Sequence, residues 1–382
     1  MKIAIVHDYF IQQGGAEKVA EEIHAIFPSS TLVTTVDIQD RPGIVTSWLR
    51  HLPITEKNHR LFFLLFPLAV ETLDLTEYDL IISSTSGYAK GVRKRKDAIH
   101  ICYCHTPMRW VWRYGAYAER ESFGGFTRLI LPPLLGLLKR WDLAASRRPV
   151  YYIANSQVVA DRIKRFYGRD SVVIPPPIDT TRFSEAEADG DFYLILSRLA
   201  AYKRLDLAVE ACKRLGRRLV VIGDGPARRD LEKMAGPNTE FLGRAADDVV
   251  SKYASRCKAL IFPGEEDFGM TPLEINAAGR PVIAYRAGGA CETVIENKTG
   301  VFFDQQQPES LMAAIENFEH ISWNRDAIRK HAENFDTEVF AGSIRRFVES
   351  VLSASTATEP VSRPASIRLH AQNSTDPAAA EI

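Results

Sequence analysis

What the 382-residue chain lacks narrows it first: it has no apolar run approaching the ~20 residues that a membrane-crossing helix needs. Its two richest stretches, 61–70 and 129–138, are too short and carry prolines. Net charge is also missing, because 48 lysines and arginines balance 48 aspartates and glutamates. A general nucleic-acid partner would demand a basic surface, so none is expected. Cysteine is sparse, and the five residues Cys102, Cys104, Cys212, Cys257 and Cys291 are odd in number and scattered. They read as reduced core residues of a cytosolic protein, not as a disulfide framework. The opening MKIAIVHDYF reads as a strand leading into a loop, without the long apolar stretch of a signal peptide.

Two local features stand out from this balanced background. Arg93-Lys94-Arg95-Lys96 is a basic run, read as a solvated turn, with contact to anionic lipid or diphosphate as the alternative. Residues 61–70 read as a buried helix. In LILPPLLGLLKRWDLAAS, Lys139, Arg140 and Trp141 stand beside the leucines, which suits a membrane interface as well as a core. Peripheral attachment of the N-terminal half to the inner face of the cytoplasmic membrane is therefore an expectation alongside simple burial.

The organisation is α/β. Residues 2–7, 31–36, 80–83, 98–104 and 150–154 read as buried parallel strands, with a helix over 16–27 and another capped by Ser156 and running to Tyr167. A short strand at 171–174 runs into Pro175-Pro176-Pro177, which can continue neither sheet nor helix. The alternation restarts at 192–197, followed by a helix over 203–215 whose Leu205, Ala208, Val209, Cys212 and Leu215 share one face. Further strands fit 218–222, 239–242, 258–262, 281–284 and 301–303, with helices at 308–318 and 337–352. Two Rossmann-like doubly wound domains facing a cleft are the expected fold, spanning 1–175 and 190–335. A helix over 336–353 is expected to cross back to the first domain, and 355–382, rich in Ser, Thr, Ala and Pro, reads as a disordered tail.

The most informative segment is FPGEEDFGMTPLEINAAGRPVIAY, in which Glu266 and Glu274 are separated by seven residues. An apolar strand ends at Pro263-Gly264, a Gly-containing acidic loop follows, and a helix starts near Thr271. Ligands bind beyond the carboxyl ends of strands in such sheets, which puts Glu266 in the crevice and Glu274 in the first helical turn. Glu274 could equally complement the helix dipole. A second segment, Ser197-Arg198-Leu199-Ala200-Ala201-Tyr202-Lys203, places two cations after another buried strand.

On these motifs, in this order, residues 2–350 resemble the retaining glycosyltransferases of the two-Rossmann-domain (GT-B) architecture, family 4. The resemblance implies that Glu266 touches the transferred sugar and that Glu274 accepts hydrogen bonds from the donor's ribose. It also implies that Arg198 and Lys203 bind the donor diphosphate and stabilise it as it leaves, whereas Arg204 is the weaker candidate. Phe268, Gly269, Met270 and Thr271 fall within the same donor motif. Gly14-Gly15-Ala16-Glu17 is similar to the family's glycine loop near acceptor and phosphates, or is a turn required by backbone geometry alone. His105, which opens His105-Thr106-Pro107 after a buried strand, matches a histidine near the donor sugar or diphosphate.

Other segments join these. Asp8, beside His7, is an acceptor-site candidate, as are Arg109 and Trp110; Trp112 and Arg113 follow them, with packing as the alternative for the aromatics. Gly223, in Val221-Ile222-Gly223-Asp224-Gly225-Pro226, is assigned to the nucleotide's wall, and Gly243 with Arg244 to the base region. Neither has the dinucleotide fingerprint spacing, which disfavours a nicotinamide enzyme. Asp189-Gly190-Asp191 imitates a metal motif but lies in the polar connector, and the resemblance implies an architecture that generally needs no metal, so it reads as a surface turn and no metal or other cofactor is expected. Gly288-Gly289 and Glu292 form a turn that approaches the donor or only shapes the fold.

The resemblance implies same-face transfer from a nucleotide-diphospho-sugar, with a glycan or a polyprenyl-diphosphate-linked oligosaccharide as the expected acceptor. FPGEEDFGMTPLE with YCHTPMRWVW looks closest to bacterial mannosyltransferases of polysaccharide or O-antigen assembly, which points to GDP-mannose. A UDP-sugar is the alternative, and a non-catalytic nucleotide-sugar binder the alternative from another class.

Overall fold

The computed structural model describes residues 1–12, 14–112, 125–183 and 189–356; Arg113 and 357–382, most of the tail expected to be disordered, lie outside the described residues. Two all-parallel sheets organise the chain. The first has seven strands, β1 (Ile3–His7), β2 (Thr31–Thr34), β3 (Val45–Thr46), β4 (Leu80–Thr85), β5 (Ile99–Cys104), β6 (Tyr151–Ala154) and β7 (Val172–Val173), in the order β3-β2-β1-β4-β5-β6-β7. The second contains β8 (Tyr193–Leu196), β9 (Leu219–Ile222), β10 (Thr239–Gly243), β11 (Leu260–Phe262), β12 (Val282–Tyr285) and β13 (Gly300–Phe303), ordered β10-β9-β8-β11-β12-β13.

The runs are apolar without alternation because both sheet faces are covered. In β1, Ile3 and Ile5 enter one hydrophobic cluster while Ala4 and Val6 enter the one on the opposite face. Successive side chains point to opposite sides of a strand, so a strand buried on both faces must be apolar at every position. β8 repeats this, with Tyr193 and Ile195 on one face and Leu194 on the other. The last helix among the described residues, Thr337–Thr356, lays Phe340, Ile344, Val348 and Val351 into the cluster of Ile3 and Ile5, so it packs on the first sheet after the second is complete.

Three readings are corrected. Residues 61–70 do not form a buried helix: a 3-10 turn at His59–Phe62 and a short helix at Phe66–Glu71 replace it, and Leu61 and Leu68 are exposed. Phe66, Ala69 and Val70 are buried in the core, while Phe62, Phe63 and Leu65 pack against it partly buried. Pro132 and Pro133 do not interrupt their segment, because one helix, Gly125–Ala145, runs through both. The lost backbone bonds are offset by burial of Leu135 and Leu138. Four cysteines are buried as expected, but Cys291 is exposed on the short helix Ala290–Thr293. The basic run is ion-paired, Arg93 with Glu71 and Arg95 with Asp79.

Candidate active site

Each sheet reverses its winding once, and the residues beyond those reversals face each other. In the second sheet the chain adds β9 and β10 on one side of β8 and returns to add β11 on the other. The loops after β8 and β11 therefore part and leave a crevice. The 3-10 turn Ala201–Lys203 brings Lys203 into it, and the loop after β11 brings Glu266. The Lys203 ammonium is ion-paired with the Glu266 carboxylate, both side chains being largely buried. Burial is the largest single influence on the Lys203 pKa and lowers it, but the Glu266 charge and hydrogen bond, together with Tyr202, outweigh it and the net shift is upward. Arg198 is exposed and its Nη1 lies 3.4 Å from Gln12 Oε1 of the first domain.

Glycines allow the loops to lie this close. A Cβ on Gly223, where φ is +132°, would stand 1.9 Å from the Ser197 carbonyl oxygen. One on Gly225 would stand 2.3 Å from that of Leu199. The turn after β9 thus supports the segment that bears Arg198, which is the structural reason for the Gly-Asp-Gly. Gly264 approaches the Lys203 backbone in the same way, at 3.0 Å.

Glu274 is the fifth residue of the helix Met270–Ala277, one turn later than the sequence reading placed it. The helix starts directly after Gly269, whose φ of +91° breaks the extended loop, so Glu274 does not sit at the dipole's positive end. Burial raises its pKa, opposed by the charges of Lys18 and Arg182, whose Nη1 is 3.9 Å away. Phe268 is not a donor-facing side chain: it is 4% exposed and packs with Ile178 and Leu273. The Met270 sulfur lies 2.9 Å from where a Cβ on Gly15 would be, so the helix start and the Gly14-Gly15 turn meet across the cleft. Thr271, in the first helical turn, is half-buried. Gly243 ends β10 with φ +72°, and the exposed Arg244 reaches Glu56 of the first domain at 2.9 Å.

The first sheet reverses between β1 and β4, and Asp8 sits there. Its carboxylate accepts from Thr85 Oγ1 at 2.6 Å and from the amides of Ser86, Tyr88 and Ala89 at 2.7, 2.8 and 2.6 Å. A carboxylate with four donors holds the loop after β4 and presents no free oxygen to an acceptor. Gly14 precedes the helix Gly15–Ile26, and Glu17 ties the turn by accepting from Ile11, Gln12 and Gly14. His105 follows β5, with Nε2 2.8 Å from Ser84 Oγ. Burial holds its pKa down at about 3, so the ring is neutral near pH 7. Trp110 packs edge-on against Phe63, which is the packing alternative.

Arg109, the acceptor-site candidate, crosses the cleft to a carboxylate. Its Nε donates to Asp267 at 2.8 Å, and its Nη2 lies 3.7 Å from Glu266. Burial pulls the guanidinium pKa down, yet Asp267 and Glu266 together raise it. The sequence reading missed Asp267, and also Arg162, which pairs with the same carboxylate and with Glu265. Glu292, left open, accepts from the amides of Gln157 and Val158 at 2.8 and 3.1 Å. The only sequence signal for Arg162 and Asp267 was opposite charge on loops of different domains, which no local pattern pairs. Asp189 is occupied by Arg280 and Arg325, and Asp191 by Lys258. Among the described residues no group of three or more His, Cys, Asp or Glu is arranged to hold a metal ion.

The comparisons decide the family. Residues 16–182 match the model of Glycosyltransferase Family 4, and residues 177–335 that of Glycosyl transferases group 1. The chain belongs to the family 4 glycosyltransferases. This glycosyltransferase is 32% identical over 172 residues to a GDP-mannose-dependent alpha-(1-6)-phosphatidylinositol monomannoside mannosyltransferase of Mycobacterium tuberculosis, covering 37% of this chain and 45% of that one. It is 26% identical over 216 residues to O-antigen chain mannosyltransferase C of Escherichia coli, covering 52% and 54%. The chain thus spans about half the length of these curated relatives. Among solved structures, sucrose-phosphate synthase of Thermosynechococcus elongatus superposes with a TM-score of 0.72 at 17% identity, over 93% of this chain and 100% of that one. Anabaena HepE in complex with UDP-glucose gives 0.66 at 18% identity, over 92% and 100%. The two facing doubly wound domains of this glycosyltransferase are the GT-B architecture.

Proposed function

We propose that the chain moves mannose, with retention, from GDP-mannose to a glycan or a polyprenyl-diphosphate-linked oligosaccharide in polysaccharide assembly. The observation that carries the reading is the Lys203–Glu266 pair at the reversal of the second sheet, with Arg198 on the same loop after β8, reaching Gln12, and the Gly14-Gly15 turn across the cleft. The diphosphate takes Lys203 and Arg198, and Glu266 turns to the sugar hydroxyls. As the bond from the anomeric carbon to phosphate breaks, its electron pair goes to the phosphate oxygen. The acceptor oxygen bonds to that carbon on the same face, and its proton passes to the departing diphosphate. Charge that grows on the diphosphate meets two fixed cations, the kind of preorganised stabilisation that lowers a barrier. Glu274, half-buried beside Arg182, accepts from the ribose. On this reading no metal participates, because the cations do a metal's electrostatic work.

The mannosyltransferase relatives support the donor. The UDP-glucose held by HepE favours a UDP-sugar as the second reading. No described helix is long and apolar enough to cross a membrane. The exposed Leu137 and Leu143, with Lys139 and Arg140, support peripheral contact with the cytoplasmic face.

The test offers purified protein a panel of GDP- and UDP-sugars with and without a membrane lipid extract, following nucleotide release and labelled lipid product. GDP-mannose-dependent labelling, lost in Glu266→Ala and Arg198→Ala, is expected. Binding without turnover on every donor would overturn the reading, and labelling from a UDP-sugar alone would replace the donor.

A further inference from the structure

One helix of the first domain holds the Glu266 loop of the second from two sides. The helix Gln157–Tyr167 is capped by Ser156, whose Oγ donates to the Asp267 backbone carbonyl at 2.6 Å. One turn on, Arg162 pairs with the Asp267 carboxylate and, at 3.2 Å, with Glu265. The residues on both sides of Glu266 are thereby tied to this helix. The helix's first amides, on Gln157 and Val158, donate to Glu292. Glu292 follows Gly288-Gly289, the turn that bridges to Glu266 and whose Gly289 amide donates to the Glu266 carbonyl at 2.9 Å. Both ties therefore reach the Glu266 backbone within a few bonds, and both cross between domains.

We propose that Arg162, acting through Asp267, and the N-terminal amides of its helix, acting through Glu292, are positioning groups that hold Glu266 against Lys203 only while the two domains are closed. The catalytic constellation is complete in the closed state and loosens in the open one. Arg109 joins as a third tie, since its guanidinium contacts Asp267 and lies beside Glu266. Opening separates Asp267 from Arg162 and Glu292 from the helix, and the Glu266 loop loses its outer support. Closure thus couples donor capture to the placement of the carboxylate that meets the sugar, and limits loss of the sugar to water. The inference rests on the reading of Glu266 as the sugar-contacting residue.

The test uses the full chain and the variants Arg162→Ala, Arg162→Lys, Asp267→Asn, Glu292→Gln and the Arg162→Ala/Asp267→Asn double variant. Small-angle scattering without substrate reports closure, thermal melting reports folding, and kinetics with the active donor separate kcat from KM and transfer from hydrolysis. Arg162→Ala is expected to lower kcat by about tenfold or more with little change in donor KM, since a displaced group costs rate more than affinity. It should raise the share of donor lost to water and shift the scattering toward an opened form. Arg162→Lys should restore part of kcat, and the double variant should lose less than the product of its single losses. A merely structural role would lower the melting temperature and leave kcat, partition and scattering unchanged, which overturns the proposal; so would independent, multiplicative losses. Should the wild type transfer from no donor, the functional reading fails, while unaltered scattering in Arg162→Ala and Glu292→Gln separately refutes the latch.

Discussion

Replacing Gly289 with alanine adds one methyl group at the back of the Glu266 loop. Its Cβ would stand 2.2 Å from both the Phe268 Cα and carbonyl oxygen. Favourable carbon contacts begin near ~3.5 Å, so the two backbones must separate by about 1 Å. Neither wall can yield by rotating a side chain, because both are main chain. The displacement also strains the hydrogen bond from the Gly289 amide to the Glu266 carbonyl, 2.9 Å long and worth about 1 kcal/mol. A reacting group moved by about 1 Å can cost on the order of 100-fold in rate. Gly289→Ala is therefore expected to lower kcat by roughly that factor, with stability reduced by about 1–3 kcal/mol as in other overpacked sites. Two further alanines calibrate the effect. Gly15→Ala meets only the end of the flexible Met270 side chain and should cost much less, while Gly136→Ala meets nothing within 4 Å in its helix and should be neutral or stabilising. Steady-state transfer kinetics and urea melts of the three measure this order. A Gly289→Ala enzyme with wild-type kcat would refute the claim that this turn sets Glu266.

Three other outcomes are expected. Lys203→Met should reduce kcat by about 100- to 1,000-fold, the usual loss when one preorganised charge-stabilising group is removed, and should weaken inhibition by the nucleoside diphosphate. Burial raises the Glu274 pKa, so a falling pH protonates it sooner than an exposed glutamate and removes a ribose acceptor. Donor Kd should then rise toward acid pH, and Glu274→Gln should flatten that dependence in calorimetric titrations. His100 and His105 are buried, with pKa values lowered from 6.5 to about 3, so between those values the unfolded chain binds more protons than the folded one. Stability is full above the unfolded pKa and is lost as pH falls, by about 2 kcal/mol per histidine at pH 5, which urea melts at pH 7 and pH 5 would show.

The relation between sequence and site is clearest where the two differ. Lys203 and Glu266 were visible as candidates because each follows an apolar run, and a buried strand fixes where the next loop emerges. Their direct ion pair was not visible, since it depends on β8 and β11 being neighbours although β9 and β10 intervene in the chain. Asp8 shows the reverse: a carboxylate after a strand has the local look of a ligand group, yet here its oxygens are taken by the loop after β4. Phe268 lies inside the donor motif, but the left-handed turn at Gly269 sends the chain onward and leaves the ring in a small core.

By itself the sequence determined the two parallel sheets, because apolar runs without alternation suit only strands covered on both faces, and the loops after those strands, because glycine, proline and charge mark them. What tertiary structure alone decided is which charge meets which. Arg162 and Asp267 are 105 residues apart and come together only because the two folded domains lie against each other. Hydrophobic periodicity is a local property of the chain, whereas an ion pair across a cleft depends on the relative placement of two folded bodies, which no local pattern encodes.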